Sequence, residues 1–108
     1  MQNDNKINLA EIHIPIDLKE HIPGFLKSRM DSLGQISAFL RESNYAQLAN
    51  LAHQIKGYGK PYGFPKISQY GLEIETFAKT KKTEELKLKI DEYSNYINLL
   101  WENQKDFI

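Results

Sequence analysis

Leu51-Ala52-His53-Gln54-Ile55-Lys56-Gly57-Tyr58-Gly59-Lys60-Pro61-Tyr62-Gly63-Phe64 sets a histidine on an apolar helical pattern and follows it at once with lysines and glycines. Leu48, Leu51, Ala52 and Ile55 recur at three- and four-residue steps, the period of a helix with one buried face. Glycine costs about 1 kcal/mol relative to alanine inside a helix. Gly57 and Gly59 therefore need a reason, and one is that another molecule comes close to His53. Pro61 is expected to end this helix, because it lacks the amide that would bond to the Gly57 carbonyl and disfavours helical geometry at Lys60.

On the N-terminal side, Ser43 or Asn44 can cap the His53 helix. Before them, Phe25, Leu26, Met30, Leu33, Ile36, Phe39 and Leu40 repeat the helical period from Pro23 to about Glu42. Pro23 suits the start of that helix, and Asp17 can cap a short helical turn through Leu18 to Ile22. Residues 1–14 read as a tail whose later part packs on a domain spanning 15–108. On the C-terminal side a helix begins near Phe64-Pro65, with Ile67, Tyr70, Gly71, Ile74, Phe77 and Ala78 as its stripe; Gly71 would let a neighbouring helix approach closely. Lys79-Thr80-Lys81-Lys82 reads as a solvated turn. Thr83 is placed as the cap of a last helix, with Glu84 and Glu85 at its positive end. Leu86, Ile90, Tyr93, Ile97 and Leu100 give that helix a bundle-like seam. No stretch alternates as a strand does. The expectation is all-α: an antiparallel up-and-down four-helix bundle with a short extra N-terminal helix.

Composition narrows the function. Fourteen basic and fourteen acidic residues cancel, leaving no net field to attract nucleic acid or an anionic membrane. The absence of cysteine removes disulfides, zinc-thiolate sites and thiol nucleophiles, and fits a reducing cytoplasm. Met1-Gln2-Asn3-Asp4-Asn5 lacks the basic start of a signal peptide, and no apolar run reaches the roughly 20 residues of a spanning helix. A monomeric cytoplasmic protein is expected, although Trp101 and Phe107 could pack internally or form a contact between copies.

At about 100° per residue, His53 lies roughly 140° to 150° from the core stripe of its helix and faces solvent. Ala49, Lys56, Gly57 and Lys60 share its side at one-turn spacings. A neutral imidazole has a lone pair and can accept a phosphoryl group, whose charge a lysine one turn away can stabilise. Acid–base work on a small molecule fits less well, because a convex helix face offers no pocket and no carboxylate sits three or four residues from His53 to orient it. Metal binding lacks a second ligand at helical spacing, since His13 and His21 lie in other segments. The glycines do not form a phosphate-binding loop, because they follow a helix and lack the Gly-Lys-Ser or Gly-Lys-Thr ending. No cofactor is expected.

His53-x-Ile55-Lys56-Gly57, Gly63 ten residues after the histidine, and Gly71-x-x-Ile74-Glu75 on the next helix resemble the histidine-containing phosphotransfer (HPt) domains of bacterial two-component phosphorelays. The resemblance covers roughly residues 15 to 100, with Ile22-Pro23-Gly24-Phe25-Leu26 similar to the family's first helices. It implies that His53 carries a phosphoryl group on Nε2, that Lys56 stabilises it, and that Gly57 admits the partner. The partner it implies is the aspartate of a response-regulator receiver domain, with a hybrid histidine kinase as a possible further one and no nucleotide site or kinase activity on this chain. Ala49, Asn50, Lys60 and Gly63 would form the partner-contacting surface. Tyr62 and Phe64 are read as packing residues and Glu75 as belonging to a solvated face. The alternative is a helical module of the same shape that docks on a receiver or kinase without being phosphorylated.

Overall fold

The structure is a computed structural model that describes residues 7–108; the reading of the first residues as lacking a signal peptide lies outside the described residues. Among the described residues there are four α-helices and no strand: α1 Ile22–Arg41, α2 Tyr45–Tyr62, α3 Pro65–Lys79 and α4 Thr83–Glu102. Connections of two or three residues turn each helix back on the one before. α2 borders α1 and α3, and α4 closes the bundle by packing on both α1 and α3. No helix among these residues is long and apolar enough to cross a membrane.

One cluster forms the core. Leu26, Ile36, Leu48, Ile55, Ile67, Ile74, Leu86, Tyr93, Ile97 and Leu100 are among its fully buried members, and they belong to the stripes that the helical period picks out. Burying side chains of this size stabilises by about 1.5–3 kcal/mol each before conformational entropy is subtracted. Phe64 is buried within this cluster, and Tyr62 packs against it with its ring stacked on Phe25 at 4.2 Å between centroids.

The helix ends depart from the sequence reading in four places. No separate α-helix precedes α1; the chain makes 3-10 turns at Leu9–Glu11 and Ile16–His21, and the second runs directly into Ile22. Asp17 lies inside that turn, which starts after Pro15, so it does not cap it. Thr83 is the first residue of α4 and makes no capping bond; its Oγ1 lies 3.1 Å from the Tyr45 hydroxyl instead, tying the starts of α2 and α4 together. Asn44 does cap α2, its side chain accepting from the Gln47 amide.

The fourth departure is at Pro61. α2 continues through Pro61 and Tyr62 and stops at Gly63, whose φ of +103° suits only glycine well. A proline in the last turn forfeits a single intrahelical bond, and little helix remains beyond it to be broken. Gly63 is fixed from outside as well. Its carbonyl accepts the His13 amide at 2.8 Å, and a Cβ on it would lie 2.5 Å from Ile14 Cα. Ile7, Ile12 and Ile14 pack on the core, so the described portion of the tail lies along the end of α2.

Candidate functional site

α2 and α3 meet at Gly71. A Cβ there would collide with the Lys56 backbone nitrogen and lie 2.7 Å from Lys56 Cα and 2.9 Å from the Ala52 carbonyl oxygen, so the two backbones touch. Gly59, about a turn beyond Lys56 on α2, has a similar packing role and faces Ile67 and Ser68. Its small size thus serves the bundle, whereas Gly57 is exposed and has no atom within 4 Å of where its Cβ would stand.

This close crossing sets Glu75, one turn beyond Gly71 on α3, against the face of α2 that carries His53. The Glu75 side chain is only 8% exposed and is the hub of the site: Oε2 lies 3.0 Å from His53 Nδ1 and 3.0 Å from Lys79 Nζ, while Oε1 lies 3.1 Å from Lys56 Nζ. Burial pushes the Glu75 carboxyl up, but hydrogen bonds from Lys79, Lys56 and His53 outweigh it and hold the group at about 2. It is therefore a carboxylate at neutral pH and can only accept, so Nδ1 of His53 carries the hydrogen. In the neutral ring this leaves the lone pair on Nε2. The His53 side chain is 66% exposed, in keeping with its angle around the helix.

Two residues of this cluster escape the sequence reading. Glu75 does not belong to a solvated face; it is buried and supplies from the next helix the orienting carboxylate that α2 itself lacks. Lys79 is the last residue of α3 and reaches back one turn to Glu75, so it does not belong to a free solvated turn. The four-residue spacing of Glu75 and Lys79 is a helix-pair signal visible in sequence. The pairing of Glu75 with His53, 22 positions apart, is not.

The remaining expected site residues separate. Lys56 stands beside His53 but is engaged by Glu75. Asn50 and Lys60 are exposed; the Lys60 amide donates to Ser68 Oγ at 2.7 Å, and its ammonium forms no ion pair among the described residues. Ala49 is corrected: at 6% exposure it belongs to the core and shares the floor of a shallow depression with Ala46 and Ala78. Gly63 is corrected too, since it is buried under His13 and Ile14 and serves as the stop of α2.

The arrangement gives an oriented imidazole with an open Nε2, backed by one carboxylate and two ammonium groups. The exposed His53 side chain lines none of the depressions beside Arg29, Pro65 or Ala49, so the site faces outward and meets a surface more readily than it encloses a small molecule. Compared with known proteins, the chain matches no family model, no curated protein and no solved structure.

Proposed function

We propose that this protein is a phosphoryl carrier, with His53 Nε2 exchanging a phosphoryl group with the aspartyl phosphate of a receiver domain. The observation that carries the reading is the contact between exposed His53 and buried Glu75, 3.0 Å at Nδ1. In the transfer, the Nε2 lone pair attacks phosphorus while the bond from phosphorus to the aspartate oxygen breaks and the carboxylate leaves with its electron pair. The ring then holds hydrogen on Nδ1 and phosphoryl on Nε2, and the positive charge it gains lies against the Glu75 carboxylate. Lys56 and Lys79, both paired with Glu75 beside the ring, add positive charge to the site, which favours a dianionic group. The resemblance to HPt domains supports the choice of a receiver as partner, and the outward-facing site suits a docked protein.

Incubation with a phosphorylated receiver is expected to label the protein with an acid-labile, alkali-stable phosphate that His53→Ala abolishes. Saturable receiver binding without labelling would overturn the carrier reading and favour a docking module.

A further inference from the structure

We propose that the cavity between α1 and the C-terminal half of α2 binds a small carboxylate carried on an apolar or aromatic body, and that Arg29 receives the carboxylate. Arg29 is 8% exposed and has no acidic partner among the described residues. Its Nη2 donates to Ser28 Oγ at 3.2 Å, while Nε and Nη1 are buried without a well-formed hydrogen bond; the neighbouring Tyr93 hydroxyl is buried and neutral and offers no compensating charge. A buried cation left this way is costly, and an anion that reaches it removes the cost. Burial pushes the Tyr93 phenol up to about 12, with the Arg29 charge and the approach of its N–H groups to the phenol oxygen pulling it the other way.

The surroundings define the ligand. The guanidinium carbon lies 5.7 Å from the Phe25 ring centre and 5.3 Å from that of Tyr58, so the charge is flanked by aromatic faces. Beside it opens a cavity of about 470 Å³, walled by Phe25, Tyr58 and Tyr62 and edged by His21, Gly24 and Ser28, a volume within the roughly 300–1,000 Å³ of small-molecule sites. Arg29 itself lines this cavity, together with Ser28, whose hydroxyl holds Nη2 of the guanidinium. A turn of that planar group, with no backbone change, presents two N–H donors to a carboxylate as a pair and gives Nη1 the acceptor it lacks. A second depression that shares Ser28 and Arg29 is lined by Asp31, Ser32, Gln35 and Gln54 and has no aromatic wall. Aromatic walls favour a ligand with an apolar body over a fully hydrated inorganic ion. On α2, Tyr58 and Tyr62 stand roughly 140° to 180° around the helix from His53, so this site is separate from the histidine cluster.

Benzoate is the probe. Titration of the full chain, followed by the ring resonances of Tyr58 and Tyr62 and by the rise of Tm with benzoate concentration, is expected to saturate below about 10 mM. Acetate is expected to bind about tenfold more weakly. Arg29→Gln should weaken benzoate binding about tenfold or more. Gly24→Leu is a second test that keeps the fold, because a Cβ at Gly24 meets nothing within 4 Å; its side chain should obstruct the cavity and abolish binding. His53→Ala should bind benzoate like the parent, so failure of phosphoryl transfer and failure of this site are told apart. The proposal is overturned by absence of saturation, by undiminished binding in folded Arg29→Gln or in Gly24→Leu, or by inorganic phosphate binding as tightly as benzoate. Should Arg29→Gln fail to fold, Gly24→Leu decides.

Discussion

The two seams along α2 are built differently. Toward α3 the backbones touch at Gly71 and the buried Glu75 carboxylate meets three nitrogen donors; toward α1 aromatic rings line an open cavity and the buried Arg29 guanidinium donates to one serine hydroxyl. Both charges lie almost wholly out of water, yet only Glu75 has the partners that make burial tolerable. A charge satisfied inside the fold sets the geometry of its neighbours, as Glu75 does for His53. A charge left over is available to something outside the fold.

The contrast breaks most severely at Gly71. Gly71→Ala must push α2 and α3 apart and is expected to destabilise by about 2–3 kcal/mol, whereas Gly57→Ala, with open space around it, should hold stability or raise it by up to about 1 kcal/mol; urea unfolding of both variants measures the difference. Next come the charges themselves. Glu75→Ala strips three donors of their acceptor and should cost about 1–2 kcal/mol, moderated because His53 and both lysines can rehydrate. Arg29→Met removes a cation without an acidic partner and should stay within about 1 kcal/mol of the parent. Equal losses in these two variants would erase the distinction between the seams.

Acid titration sharpens the same point. The Glu75 carboxyl is held below its ordinary 4.5, at about 2. Its contribution to stability is therefore fully present above about 4.5 and fades as pH falls toward about 2. Glu75→Gln should flatten the stability curve in that interval, as read from Tm against pH. The smallest effect belongs to the turn after α3. Lys81 has φ +55° without being glycine, so Lys81→Gly should raise stability by about 0.5–1 kcal/mol in thermal unfolding.

The helices are legible in sequence because each core stripe keeps the three- and four-residue step over most of its length, from Leu26 to Leu40 and from Leu86 to Leu100. The exposure of His53 follows from the same step, since angle around a helix depends only on position. Glu75 is legible as a helical residue and not as a buried one, because its burial depends on how closely α3 approaches α2. That distance is set where Gly71 meets Lys56, across a turn of chain, and periodicity along one helix contains no measure of it. Pro61 misleads in the opposite direction: local propensity argues for an early stop, and the real stop is the left-handed Gly63 held by a segment nearly fifty residues earlier. Spacing puts Ala49 on an open surface and the family resemblance puts Gly63 there, and both are covered by neighbours that neither sees.

The hydrogen bond from the His13 amide to the Gly63 carbonyl has a consequence for motion. His13 is an exposed residue on a segment outside the four helices, so little else shields its amide from water. Its proton is protected while the segment stays docked on Gly63, and the last turn of α2 loses that cover when the segment lifts away. Exchange at the His13 amide therefore reads out the opening of this contact, and comparison with the Gly63 and Phe64 amides, which close the end of α2 on their own, tells whether the segment lifts alone or the helix end frays with it.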